Sequence, residues 1–245
     1  MCSHLLIHKK NGRDYADALG AEIEGAAAGD EEPRELVAPS ERHWMLKAVA
    51  DRRVLAPASF GFAHVAAPGK PAKKGLLINA RSETVHKLPT FRDAFVRRRC
   101  LLPADGFYEW TGEKGARCPV RFERAGGGLL LVCGLYQDEI DPVTGAVRTV
   151  FTVLTTPAND VVGRVHDRMP ALLVPDGGGA VDAWLGAHKF DAAALLGLLR
   201  PAPSELLSAE EVRPEPPREA PIKLPRKPAK AAESRRPPPT QLKLF

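Results

Sequence analysis

Between Leu101 and Thr155 the chain alternates apolar, β-prone segments with turns marked by glycine, aspartate and proline. The stretch Leu101 to Trp110 is broken at Ala104-Asp105-Gly106, and Pro119 to Glu123 is joined to Leu129 to Tyr136 through Gly126-Gly127-Gly128. Arg148 to Thr155 follows the turn Asp141-Pro142-Val143-Thr144-Gly145. Such spacing predicts a meander, because antiparallel strands can be joined by tight turns whereas parallel ones need long crossovers. The expected class is α+β: a mainly antiparallel sheet or partly closed β-barrel with short flanking helices.

The flanks are less constrained. Residues 3–8 are apolar enough for a short strand. Asn11 to Pro39 is rich in Ala, Gly and Glu and predicts no definite element. Ser40 reads as the N-cap of a helix through Trp44, Leu46 and Val49. Gly75 to Asn79 reads as a buried strand ending in a polar residue. Thr90 is expected to cap a helix from Phe91 to Arg99. Its terminal Arg97, Arg98 and Arg99 suit the negative helix end better than they suit DNA. Asp191 to Leu199 predicts a short amphipathic helix.

After Arg200 the chemistry changes. Eleven of the 23 prolines lie in residues 201–245, and the sole aromatic there is Phe245. A segment of that composition buries too little apolar area to offset its ordering entropy. The expected organisation is one domain over residues 1–200 and a disordered tail over 201–245.

With 44% hydrophobic residues over 245 positions, the chain can build a real core. It contains neither an apolar run of membrane-spanning length nor a signal-peptide pattern, and a cytoplasmic, nucleoid-associated setting is expected. Cys2, Cys100, Cys118 and Cys133 form no CxxC, so neither a zinc site nor another metal or cofactor is expected. Cys100 and Cys133 read as small hydrophobes. The net charge is +5, of which residues 201–245 supply +3 from nine Lys+Arg and six Asp+Glu. The body carries only +2, so any nucleic-acid surface on it must be a local patch.

Chemistry concentrates at four places. Removal of Met1 would leave Cys2 with an α-amine and a thiol on adjacent carbons. Both groups titrate near neutral pH. Together they can attack one aldehyde twice, the amine giving an imine and the thiol closing it to a five-membered thiazolidine. Asn79-Ala80-Arg81-Ser82-Glu83 follows a strand. Gly106-Phe107-Tyr108-Glu109-Trp110 sets a carboxylate among aromatics. Val165-His166-Asp167-Arg168-Met169-Pro170 sets a His and an Arg before a proline. Each has a plainer reading: Asn79 as a turn cap, Glu109 on the solvent side of a strand, His166 as a structural histidine.

Together with Met1-Cys2, and with Thr155-Thr156-Pro157-Ala158-Asn159, these stretches resemble the SOS response-associated peptidase (SRAP) family over about residues 1–200. The resemblance implies a suicide DNA-damage protein that binds single-stranded DNA at abasic sites and crosslinks to the ring-opened sugar. It implies Cys2 as nucleophile, Asn79 as its orienting group and Glu109 as the acid/base. His166 is implied as a hydrogen-bond partner of the opened sugar. Arg81 and Arg168 are implied as phosphate contacts, and Trp110, Thr155 and Pro39 as DNA-facing positions. The chain departs from the family's usual pattern in carrying Ser3-His4 for Gly-Arg, Leu36 for the Asn of Asn-Val-Ala-Pro, and Phe60-Gly61-Phe62 where a tryptophan-bearing segment is common. No late Pro-Val-Ser segment is recognisable near Leu206 to Arg213.

Two other classes remain open on sequence. Cys2, His166 and Asn79 are the residue types of a Cys-His-Asn peptidase whose substrate could be its own Met1 bond. A non-catalytic docking protein is the third. The terminal residues Gln241, Leu242, Lys243, Leu244 and Phe245 resemble the Gln-Leu-x-Leu-Phe motif by which bacterial replication and repair proteins dock on the sliding clamp. The expected partners are abasic single-stranded DNA and that clamp, with the protein itself monomeric.

Overall fold

The computed structural model describes residues 2–8, 10–24, 35–50, 52–64, 75–113, 116–141, 144–175, 179–186 and 191–212. In chain order the elements are β1 (His4–Leu6), α1 (Gly12–Leu19), β2 (Glu22–Ile23), β3 (Leu36–Val37), β4 (Arg42–Val49), β5 (Arg52–Phe60), β6 (Phe62–Ala63), β7 (Leu76–Leu77) and β8 (Asn79–Arg81). Then come α2 (Pro89–Arg97), β9 (Arg99–Ala104), β10 (Gly106–Thr111), β11 (Cys118–Arg124), β12 (Leu130–Ile140) and β13 (Val147–Pro157). The described chain ends with β14 (Arg168–Pro170), β15 (Leu172–Leu173), α3 (Ala180–Leu185), α4 (Ala192–Leu198) and β16 (Leu207–Glu211).

Five strands close on themselves. β5 pairs β4, β4 pairs β9, β9 pairs β12 and β12 pairs β13, all antiparallel. A short parallel seam between β13 and β5, Val150 to Ser59 and Phe151 to Phe60, completes the ring. The Phe60 and Phe151 rings stack 4.9 Å apart on that seam, so aromatic packing reinforces it. Leu46, Leu55, Leu101, Cys133 and Leu135 are fully buried in the core. The predicted barrel is therefore present, and all but one of its pairings are antiparallel.

A second sheet of five strands, in the order β16-β11-β10-β1-β3, leans on this barrel. The chain moves from barrel to sheet at Ala104-Asp105-Gly106, where the Asp105 amide donates to Leu6 O at 2.8 Å. Gly106 is needed there. A Cβ on it would meet Phe122 O at 2.1 Å, closer than any side chain tolerates.

Residues 42–49 form β4 and not the expected helix. Met45, Leu46, Lys47 and Ala48 are good helix formers, but His43 to Leu46 are all buried between strands on both sides. Pairing of Trp44 with Pro57 and Leu46 with Leu55 outweighs a helix propensity of a few tenths of a kcal/mol per residue. Ser40 is no N-cap: its φ is +73°, and its amide donates to Phe60 O. Gly75 to Asn79 splits into β7 and β8, half-buried where full burial was expected. α2 starts two residues earlier than predicted, with Pro89 at its first position, Leu88 and not Thr90 at the cap, and its end at Arg97.

The arginine cluster resolves as expected in kind. Arg97 and Arg98 both pair with Asp93. Arg99 begins β9, is buried, and donates to Phe95 O, Val96 O, Trp184 O and Gly186 O, the open carbonyl ends of α2 and α3. The predicted break after Arg200 falls too early. Leu207–Glu211 is an edge strand on β11, and the compact unit extends to Arg213.

Candidate active site

The β1–β10 register sets the first wall of the site. Leu5 lies opposite Phe107 and His4 opposite Tyr108. With a two-residue side-chain period, Phe107 and Glu109 share the inner face while Tyr108 and Trp110 share the outer one. Glu109 is accordingly 2% exposed, which removes the solvent-side reading. Burial pushes its carboxyl above the usual glutamate range. Positive charge at the amino terminus and at His166 opposes that rise, and Asp167 adds to it.

Cys2 sits just ahead of β1 and is fully buried. Desolvation drives its thiol far up, and the charge of Glu109 adds to the effect. The backbone amide of His4 faces the sulfur and pulls the other way. On the outer face the His4 ring packs edge-on to Trp110, 4.7 Å between centroids. Ser3 Oγ lies 2.9 Å from His4 Nδ1.

The second wall belongs to the barrel. Asn79 opens β8, which runs parallel to β13 with Asn79 abreast of Val153. Its Nδ2 donates to Cys2 O at 3.0 Å, which ties the two walls together. Asn79 Oδ1 is buried and has no hydrogen-bond partner among the described residues. His166 follows a single 3-10 turn, Val162–Arg164, and precedes β14. Its Nδ1 accepts from the Arg168 amide at 2.9 Å. Cys2, Asn79, Glu109 and His166 thus converge from four chain segments.

The predicted DNA-facing set divides. Arg81 is exposed, while Trp110 and Pro39 are half-buried. Thr155 is fully buried and cannot face DNA. Arg168 is 8% exposed and bonds Glu83 through both carboxylate oxygens, Thr155 O at 2.6 Å and Thr155 Oγ1 at 3.2 Å. Those partners engage both terminal nitrogens, and Nε, which has no partner among the described residues, is buried. Gln241, Leu242, Leu244 and Phe245 lie outside the described residues. Among the described residues no three His, Cys, Asp or Glu side chains gather as metal ligands, and no helix is long and apolar enough to cross a membrane.

The family described as SOS response associated peptidase (SRAP) matches residues 1–215. The chain belongs to that family. Its curated relatives include abasic site processing protein YoqW of Bacillus subtilis, 34% identical over 137 residues, or 56% of this chain and 59% of that protein. The chain thus covers less than two thirds of that SRAP relative. Abasic site processing protein YedK of Escherichia coli is 30% identical over 168 residues, 66% of this chain and 71% of the other. A solved structure from Bordetella bronchiseptica superposes with TM-score 0.68 at 28% identity, covering 86% of this chain and all of that one (100%). One from Bacteroides thetaiotaomicron gives TM-score 0.73 at 20% identity over 86% of this chain and 92% of that one, a likeness of fold.

Glu83 and Asp167 lie within the sequence motifs without a role legible there. Glu83 holds Arg168, and Asp167 Oδ1 lies 2.9 Å from His166 Nδ1. The available signal was spacing: Glu83 stands four residues after Asn79, as Arg168 stands two after His166.

Proposed function

We propose that this protein captures abasic sites in single-stranded DNA, closing a thiazolidine on the ring-opened aldehyde through Cys2 once Met1 is removed. The α-amine of Cys2 attacks the aldehyde carbon to give a carbinolamine. Glu109, its proton retained by burial, protonates the departing hydroxyl, and water leaves an imine. The Glu109 carboxylate then takes the thiol proton as sulfur bonds the same carbon and a proton settles on the ring nitrogen. The sum is amine, thiol and aldehyde in, thiazolidine and one water out. Asn79 holds the Cys2 carbonyl and offers Oδ1 to the amine. His166 donates to the opened sugar hydroxyl. Arg81 meets a flanking phosphate, and Trp110 and Pro39 line the path of the strand. The adduct shields the lesion during replication.

The observation that carries this reading is the burial of Cys2 beside Glu109, with Asn79 bonded to its carbonyl. A thiol peptidase needs a ready thiolate, usually made by a histidine. Here burial pushes the thiol up and Glu109 adds to the effect, which favours amine-first chemistry over thiol-first hydrolysis. The test is a denaturing gel of the untagged protein with an oligonucleotide holding one abasic site, beside a peptide library. A heat-stable shifted band is expected. Peptide cleavage without that band rejects the proposal.

The segment Gln241 to Phe245 is proposed to dock on the sliding clamp, its leucines and phenylalanine filling an apolar pocket. The sequence before that motif is rich in proline, and docking there would raise the local concentration of the body near a stalled clamp. Titrating a labelled peptide of residues 236–245 against clamp, with Leu244→Ala/Phe245→Ala as control, decides the matter. Equal binding by the control rejects it.

A further inference from the structure

His166 Nδ1 has two neighbours that make opposite demands. The Arg168 backbone amide, 2.9 Å away, can only donate, so it requires a bare Nδ1 lone pair. Asp167 Oδ1, also 2.9 Å away, can only accept when ionised, so it requires a proton on Nδ1. One nitrogen cannot satisfy both. The outcome depends on how firmly the Arg168 amide is held.

It is held from three sides. The strand register places Arg168 opposite Pro157. The guanidinium grips Glu83 with both of its terminal nitrogens and reaches Thr155 O and Oγ1 on β13. Thr155 O also accepts the Ser82 amide at 2.9 Å, so the segment after Asn79 is tied to the same point. Asp167, by contrast, has a side chain 84% exposed. We infer that the Glu83–Arg168 pair selects the tautomer of His166, keeping Nδ1 bare and the proton on Nε2, where it can donate to a ligand oxygen. Glu83 and Arg168 are positioning residues. They act through His166 and touch no reacting atom. If Glu83 is neutralised, the largely buried guanidinium loses its counter-charge and shifts, the amide follows, and Asp167 draws a proton onto Nδ1. Arg168 holds the Glu83 carboxyl down at about 2, so the pair is intact at neutral pH.

The tautomer arm of the test stands alone; the kinetic arm rests on the reading of function above. With the full chain carrying ¹⁵N-histidine, and with His166→Gln to assign the resonance, wild type should show a bare Nδ1 and a protonated Nε2. Glu83→Gln should move the signal toward protonated Nδ1, whereas Glu83→Asp should leave it in place. Adding Asp167→Asn to Glu83→Gln should restore the wild-type pattern, a rescue that general loosening of the fold would not give. Single-turnover crosslinking at saturating abasic DNA should fall about tenfold in Glu83→Gln and recover in the double variant. An unchanged tautomer in Glu83→Gln, or no rescue by Asp167→Asn, overturns the inference. Failure of wild type to crosslink overturns the proposed function and leaves the tautomer result to decide this one.

Discussion

The wall built by β1 and β10 and the wall built by β8, β13 and β14 hold their polar groups in different ways. On the first, a fully buried thiol and a 2%-exposed carboxyl are both pushed toward their protonated forms by desolvation. On the second, a buried cation is surrounded by a carboxylate and two oxygens of one threonine, and its partner carboxyl is pushed toward ionisation. On the proposed function, the first wall holds its reacting groups at a cost in stability. On the second, the Glu83–Arg168 pair is stabilised by its charges and lends only geometry.

The sharpest way to break that comparison is Cys2→Ala. The amine survives but no ring can close, so the heat-stable adduct should vanish entirely and leave only an imine trappable by borohydride. A heat-stable adduct from this variant sinks the mechanism. Glu109→Gln comes next, with imine formation slowed about 10²–10⁴-fold. The same change should stabilise the fold. A carboxyl whose folded pKa is raised destabilises the native state increasingly as pH climbs from the ordinary carboxylate range through that raised value. Above it, Glu109→Gln should melt at a higher temperature than wild type. A lower melting temperature would mean that the first wall is not strained.

The second wall predicts the opposite sign. Glu83 is depressed to about 2, so its contribution is complete above the ordinary carboxylate range and is lost as pH falls toward 2. Its side chain is 47% exposed, and solvent screening reduces the contribution to on the order of 1 kcal/mol. Acid unfolding of wild type should show this loss, and Glu83→Gln should lack it. The smallest effect is expected at Arg81. Replacing it with Ala should flatten the log–log salt dependence of single-strand binding by about 0.7. Arg168→Ala should change affinity or rate without that flattening. An unchanged slope for Arg81→Ala, with a flattened one for Arg168→Ala, would exchange their roles.

How much of this was legible in sequence varied with the range of the forces involved. The alternation around Glu109 and the turn before it are local, and both could be read. That the turn also carries the chain from barrel to sheet could not, because it depends on Leu6 accepting from Asp105, some hundred positions away. The β5–β13 seam is likewise invisible, since Phe60 and Phe151 carry no mark of pairing. β4 was misread because residues 45–48 favour a helix locally, and its burial between strands needs β9, some fifty positions on, as well as the adjacent β5. β16 was missed because four of its five residues are exposed, as befits an edge strand. At the candidate site, Cys2, Asn79, Glu109 and His166 stood out through motifs that resemble the SRAP family, since each alone had a plainer reading. The role of Arg168 was not, since an arginine reads alike whether it meets a phosphate or a glutamate.

Cys2 is fully buried, and the strand it leads into pairs with β10, whose residues are made about a hundred positions later. An aminopeptidase needs an extended, accessible terminus, so the proposed trimming of Met1 belongs to the period before β10 exists. At the usual 5–20 residues per second of synthesis, that window lasts roughly 5–20 s. On the proposed function, the timing of translation is thus part of how the nucleophile would be made. A chain refolded from denaturant with Met1 still attached should hide its first peptide bond in the fold and stay inert, even with the peptidase supplied afterwards.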